Sequence, residues 1–171
     1  NEKTGKVEKI NTDALYPYNV ITMPRNTAQA AWDNLKDFVG EHSFMPIIDT
    51  SGSMTCSATG SLSCMDVAIS LGVYLAERNK SAYKNLGITF STTPQWIKIN
   101  ESQHIHDRFN AVRQSNWQMS TNLDKAMKLI LDTAVKNNVP QSDLPEFLIV
   151  LSDMQFNGGY GGSVAKRTKD A

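Results

Sequence analysis

Continuous apolar runs alternate along this chain with stretches whose apolar residues recur at helical spacing. Runs of this length are typical of strands buried on both faces of a sheet. They predict strands at 44–49, 86–91 and 147–152, with an alternating edge strand at 96–99. The helical spacing predicts helices at 65–78, 103–113 and 123–136. Strand–helix alternation of this kind predicts an α/β fold with a mostly parallel sheet covered by helices on both faces.

Residues 1–43 follow a different pattern. Pro17 interrupts a short helix or turn over 11–20, and apolar spacing predicts a further helix over 27–39. We interpret Trp32 as the side chain that packs this segment onto the main body. The chain is therefore divided into an N-terminal helical arm or linker, 1–43, and a domain, 44–171.

A carboxylate and two hydroxyls follow the first predicted strand. Asp49, Ser51 and Ser53 occupy alternate positions there, and Gly52 permits a sharp turn between them. In open α/β sheets, ligands bind beyond the carboxyl ends of the strands. A site made only of carboxylate and hydroxyl oxygens suits Mg²⁺, Mn²⁺ or Ca²⁺ better than Zn²⁺.

The Asp-x-Ser-x-Ser string resembles the metal-ion-dependent adhesion site (MIDAS) of von Willebrand factor A domains. That family also uses a Thr on a second loop and an Asp after a later strand. Thr121 opens an amphipathic segment, and Asp153 follows the apolar run 147–152. The resemblance implies that Ser51, Ser53 and Thr121 bind the metal through hydroxyls, while Asp49 and Asp153 act mainly through water.

Each of these residues also has a simpler interpretation. Thr121 and Asp124 have capping-box spacing, Ser51 and Ser53 are typical turn residues, and Asp153 suits an Asx turn. The simpler interpretation needs several independent coincidences, so we predict a metal site.

Three further motifs point to a more specific family among proteins with this domain. They are Met65-Asp66-Val67-Ala68-Ile69, Trp117-x-Met119-x-Thr121-Asn122 and Ser152-Asp153-Met154-x-Phe156. In these motifs the chain resembles bacterial and phage Ro-like proteins. Asn11-x-x-x-Leu15-x-Pro17-Tyr18, followed by the Trp-bearing helix and the strand that ends in Asp49, resembles the junction that leads into the A domain of Ro autoantigen (TROVE) proteins. The resemblance covers roughly residues 10–157. This implies a Rossmann-like, doubly wound sheet of von Willebrand factor A type. It also implies C-terminal truncation, since about two more strand–helix units are expected. In that family the parent protein binds RNA through a helical ring.

Composition limits the range of functions. Lys+Arg and Asp+Glu are balanced at 17 each, so no net field steers the chain towards nucleic acid or membrane. No apolar stretch reaches the length of a membrane span. The two cysteines, Cys56 and Cys64, lie in a polar loop, and we interpret them as free thiols of a cytoplasmic protein. A disulfide across that loop is the alternative.

The sequence therefore predicts a non-enzymatic binding module in which a divalent metal recognises an acidic residue of a protein partner, within a Ro-like ribonucleoprotein. The alternatives are a direct RNA-binding segment and a structural scaffold with an unoccupied metal site. A metal-dependent hydrolase is disfavoured because only Asp49 and Asp153 supply carboxylates. His104 and His106 are predicted on a helix away from the strand ends, in solvent-exposed roles.

Overall fold

The computed structural model describes residues 15–115 and 122–153, which form an α/β fold with a mixed four-stranded sheet. The strands are β1 (Phe44–Asp49), β2 (Ser57–Thr59), β3 (Leu62–Ser63), β4 (Leu86–Phe90), β5 (Trp96–Lys98) and β6 (Phe147–Leu151). The α-helices are α1 (Pro17–Val20), α2 (Arg25–Asp33), α3 (Cys64–Arg78), α4 (Ile105–Arg113) and α5 (Leu123–Lys136). Two short 3₁₀ helices span Gly52–Thr55 and Gln141–Asp143. None of the helices in the described ranges has the length and apolar character required to cross a membrane.

The sheet is built around β1. Its strand order is β5-β4-β1-β6, with β1 parallel to both β4 and β6. Ile47 pairs with Ile88 on one side and with Val150 on the other. Strand β5 runs antiparallel to β4 at one edge, so the sheet is mixed. The four predicted strands are confirmed, each within a residue or two of its expected bounds.

Apolar side chains from β1 enter clusters on both faces of the sheet. Met45 and Ile47 pack in a cluster that includes Ala126 and Ile130 of α5. Ile48 belongs to the larger cluster, which contains the apolar face of α3 and side chains of α2 and α4. Because successive strand residues point to opposite faces, the continuous apolar run of β1 is explained by packing on both sides.

Helix α2 is shorter than predicted. It ends at Asp33 instead of continuing to residue 39. Helix α3 provides the reason, because its side chains bind backbone carbonyls in the last turn of α2 and just beyond it. The Arg78 guanidinium donates to the carbonyl of Trp32, and the Tyr74 hydroxyl donates to the carbonyl of Lys36. These tertiary hydrogen bonds take the place of further helical ones.

Trp32 anchors the arm as predicted. Its side chain is 1% exposed, and its ring meets that of Phe109 edge-on at a centroid distance of 5.3 Å. Its indole N–H donates to Glu77 Oε2 at 2.8 Å. The described part of the arm therefore shares the hydrophobic core of the sheet domain.

Candidate metal site

The polar residues after β1 lie at a switch point in the strand order. The chain passes from β1 through α3 to β4 on one side, whereas β6 lies on the other side of β1. In open α/β sheets, the crevice outside the carboxyl ends of such strands is where ligands bind. Asp49 is the last residue of β1, and Ser152 follows the last residue of β6.

The loop after β1 folds around the Asp49 carboxylate. The Ser51 N–H donates to Asp49 Oδ1 at 2.9 Å. A 3₁₀ turn begins directly afterwards, in which the Met54 N–H donates to the Ser51 carbonyl. This turn brings the hydroxyl oxygens of Ser51 and Ser53 to 3.0 Å from each other.

The end of β6 closes the other side of the site. The Ser152 hydroxyl donates to Asp49 Oδ2 at 2.6 Å. The Asp153 N–H donates to Met54 Sδ at 3.2 Å, so the backbone of Asp153 lies against the loop that carries Ser53. The structure therefore brings four of the five predicted site residues to one edge of the sheet. The fifth, Thr121, lies outside the described residues.

The electrostatic environment of Asp49 is unusual. Its side chain is 0% exposed, and the hydrogen bonds to its carboxylate come from neutral donors, Ser51 N–H and Ser152 Oγ–H. Among the ion pairs of the described ranges, none includes Asp49. A buried carboxylate normally has a cationic partner or a metal, because its desolvation costs several kcal/mol.

The donor atoms fit a small hard cation. Neighbouring oxygens of an octahedral Mg²⁺ site, with ligand distances of about 2.1 Å, lie about 3 Å apart. The Ser51 and Ser53 hydroxyl oxygens have this separation. Within the described residues, no group of three or more His, Cys, Asp and Glu side chains is placed to hold a metal. The donor groups at this edge are two carboxylates, those of Asp49 and Asp153, and the hydroxyls of the neighbouring serines.

Two hydroxyl residues at this edge were not predicted. Ser152 supplies a hydrogen bond to Asp49, and only its position directly before Asp153 could have indicated it. Ser91 follows β4, is 1% exposed, and its Oγ has no hydrogen-bond partner among the described residues. Its backbone lies beside the end of β1, because Phe90 pairs with Asp49.

His104 and His106 lie at the start of α4. His104 is the N-cap of α4, and its Nδ1 accepts from the His106 N–H at 3.2 Å. Its Nε2 lies 3.0 Å from the Arg25 carbonyl oxygen. Both histidines are half-buried, not solvent-exposed as predicted. His104 joins the start of α4 to the start of α2, whereas the His106 ring packs near those of His104 and Phe109.

Fold and site together define an α/β domain with an oxygen-lined candidate cation site at its switch point. The family model for the domain of unknown function DUF7788 matches residues 43–169. The match covers most of the chain, and the chain belongs to the DUF7788 family.

A relative comes from Acanthamoeba polyphaga mimivirus. The chain is 26% identical over 159 residues to the uncharacterized protein L728 of that virus. The matched region covers 87% of this chain and 27% of the relative, so the chain spans about a quarter of that protein. No solved structure matches the chain.

These comparisons correct the family assignment made from the sequence. The prediction of a von Willebrand factor A domain, closest to Ro autoantigen (TROVE) and Ro-like proteins, is wrong: the matching family is DUF7788. The motif that first suggested it, Asp49-x-Ser51-x-Ser53, is short and lies at the end of a strand. Polar residues at that place are common to parallel sheets that present a site at their carboxyl edge.

Proposed function

We propose that this chain is a non-enzymatic binding module whose activity depends on a divalent cation, with Mg²⁺ as the ion and Mn²⁺ or Ca²⁺ as substitutes. Asp49, Ser51 and Ser53 hold the cation, and Asp153 supports it from the end of β6. The cation then accepts a carboxylate from an acidic residue of a protein partner.

The observation that carries this proposal is the buried Asp49 carboxylate, whose hydrogen-bond donors among the described residues are neutral. A cation beside it offsets the desolvation cost that Ser51 and Ser152 cannot offset alone. Asp49 is the carboxylate proposed to hold the cation and Asp153 the one that supports it, so the cation keeps part of its positive charge. Mg²⁺ usually retains exchangeable water positions, and one of these is open to a partner's carboxylate.

The finer fold assignment belongs to the same proposal. We infer a Rossmann-like, doubly wound arrangement. Supporting it are the parallel pairing of β1 with β4 and β6 and the apolar clusters on both faces of the sheet. The switch point of such a sheet is the place where this proposal puts the cation.

Thermal unfolding of the full chain in EDTA, Mg²⁺, Mn²⁺ and Ca²⁺ tests the cation site. A ligand that binds only the folded state raises its melting temperature. We expect a metal-dependent rise that disappears in Asp49→Asn. In EDTA the same variant should melt at a higher temperature than the natural chain, because it removes a buried charge that has no ion-pair partner within residues 15–115 and 122–153. Thr55→Val is the matched control, since it removes a hydroxyl from the same turn outside the proposed ligand set.

The opposite results are equally clear. If Asp49 only ties the loop to β6 through its hydrogen bonds, Asp49→Asn will lower the melting temperature in EDTA and in metal alike. If the chain shows no metal-dependent rise, or shows the same rise in Asp49→Asn, the cation site is contradicted. A structural scaffold would then be the better interpretation.

The partner's carboxylate is tested on the same samples. Bound Mn²⁺ broadens the NMR signals of any ligand that reaches it. A short peptide containing Glu should be broadened, whereas the peptide with Gln in its place should not. Equal broadening of both peptides would contradict carboxylate recognition and leave the cation site intact. Direct RNA binding stays an untested alternative, with no specific support among the described residues.

A further inference from the structure

The two cysteines lie opposite each other across a small hairpin that the sequence did not predict. Strands β2 and β3 are antiparallel, and Ser57 pairs with Ser63. Cys56 and Cys64 occupy the next opposed position, where the Cys64 N–H donates to the Cys56 carbonyl at 2.9 Å. Opposed residues of antiparallel strands have Cα atoms about 4.5–5.5 Å apart. A disulfide spans about 4.4–6.8 Å between Cα atoms, so the backbone already suits a bridge.

The thiols themselves are in contact. Both cysteines are free, and their Sγ atoms lie 2.8 Å apart. The pKa of the Cys64 thiol is raised, chiefly because it is hydrogen-bonded to Cys56, and further by burial and by the nearby charge of Asp153. Cys64 therefore keeps its proton to a higher pH than an ordinary thiol.

Cys64 packs against the edge of the larger hydrophobic cluster, but packing does not explain Cys56. Buried cysteines commonly act as small apolar side chains in a core. Here Cys56 is exposed and Cys64 is half-buried, and the residues of β2 between them are exposed. The exposed Cys56 thiol is accessible to small oxidants, and the Cys64 thiol lies directly beside it.

We propose that Cys56 and Cys64 are a reversible redox pair, which a low-molecular-weight disulfide oxidises to a bridge across the β2–β3 hairpin. The bridge is a covalent modification site on the segment that leads from the candidate metal site into α3. Formation of the bridge does not depend on a cation at Asp49, so the redox pair and the cation site can be tested independently.

The reaction proceeds by two thiol–disulfide exchanges. With oxidised glutathione as the oxidant, the Cys56 thiolate attacks one of its sulfurs. The glutathione S–S bond breaks, one glutathione leaves as thiolate, and a mixed disulfide forms on Cys56. Cys64 then loses its proton and attacks Cys56 Sγ, which releases the second glutathione. The protein loses two electrons and two protons, and one glutathione disulfide becomes two thiols.

The test equilibrates the full chain in buffers of increasing oxidised-to-reduced glutathione ratio. Remaining thiols are alkylated, and intact masses are measured. We expect two main species: a reduced chain with both cysteines alkylated, and an oxidised chain that lacks two hydrogens and carries neither alkyl group nor glutathione. The matched control combines Cys56→Ser with Ser57→Cys. It keeps two thiols but moves one to the opposite face of the strand.

The control should need at least about a tenfold higher glutathione ratio to form a bridge, a difference of about 30 mV in potential. A second variant, Cys56→Ser, should retain glutathione on Cys64, because no neighbouring thiol can displace it. The proposal is overturned if the natural chain retains glutathione as Cys56→Ser does, if it forms only dimers, or if the control forms the bridge at the same ratio.

Discussion

Asp66 shows how one charged side chain stabilises a helix start and makes its stability depend on pH. Its Oδ2 accepts from the Ser63 N–H at 2.9 Å and from the Ser63 hydroxyl at 2.7 Å, while its own N–H donates to Ser63 Oγ. Its Oδ1 is paired with Arg113. Burial raises the pKa of Asp66, but these donors outweigh it, and the pKa lies below the ordinary value of 3.8.

Because the pKa of Asp66 is lower in the folded chain, the free energy of unfolding decreases as the pH falls. Asp66 stabilises the fold when it is ionised, so its contribution is complete well above pH 3.8 and is lost as the pH falls through the lowered value. Asp66→Asn should therefore reduce the free energy of unfolding by about 1 kcal/mol at neutral pH. Urea unfolding at neutral pH and at about pH 3 should show this difference shrinking in acid.

The matched control for this prediction is Asp132→Asn. Asp132 forms an exposed pair with Lys128 one turn away on α5, and such pairs are worth about 0.3–0.5 kcal/mol. The prediction fails if Asp66→Asn costs no more than the control, or if its cost is the same at both pH values.

The sequence was most informative where chemistry is local. Asp49, Ser51 and Ser53 could be predicted as a group because they lie within five residues, directly after a buried strand. The capping box of Ser63 and Asp66 at the start of α3 is equally local, because the two residues are three positions apart. Ser152 could not be predicted in the same way, since its contact with Asp49 exists only because β6 lies beside β1.

At the scale of elements, helix α3 packs unusually closely on β1. Gly72 is the point of approach: a Cβ there would overlap Cδ1 of Ile48 and lie 2.6 Å from its Cγ1. Ala has a better helix propensity than Gly by about 1 kcal/mol, but overpacking a core costs about 1–3 kcal/mol. We expect Gly72→Ala to lower the free energy of unfolding, measured by urea denaturation.

Coupling with Ile48 separates this clash from other causes. Ile48→Val removes the Cδ1 atom that the new methyl group would meet, and alone should cost about 0.5–1.5 kcal/mol. The double variant Ile48→Val/Gly72→Ala should lose clearly less free energy of unfolding than the two single variants lose together. Full additivity, or a Gly72→Ala variant more stable than the natural chain, would contradict the close-packing explanation.

Element positions could be predicted better than element ends. Periodicity gave α3, α5 and all four strands of the main sheet to within a residue or two, because buried faces impose their period on the sequence. It did not give the end of α2, which is decided by hydrogen bonds from Tyr74 and Arg78. It also missed the β2–β3 hairpin, whose exposed residues carry no burial pattern.

At the scale of the whole molecule, the sequence indicated an α/β fold but not the order of its strands. The pairing of Ile47 with Val150 joins residues about a hundred positions apart, and no local pattern encodes it. The family also could not be predicted from the sequence, because short motifs at strand ends are typical of a kind of site and occur in unrelated families. The DUF7788 match begins at residue 43, yet the core extends into the arm that precedes it.

Trp32 makes this arm part of the folded domain. Its ring packs edge-on against Phe109 and Tyr74, and its indole N–H donates to Glu77, which is itself buried in an ion pair with Arg108. Trp32→Ala should reduce the free energy of unfolding by about 3–5 kcal/mol, because it leaves a large cavity between α3 and α4. Trp32→Phe keeps most of the packing and removes only one donor to Glu77, so its cost should be about 1–2 kcal/mol. Urea unfolding followed by far-UV circular dichroism measures both.

If the arm were only a tether beside the domain, the two variants would unfold at the same urea concentration as the natural chain, and the family's matched region would be the whole of the cooperative unit.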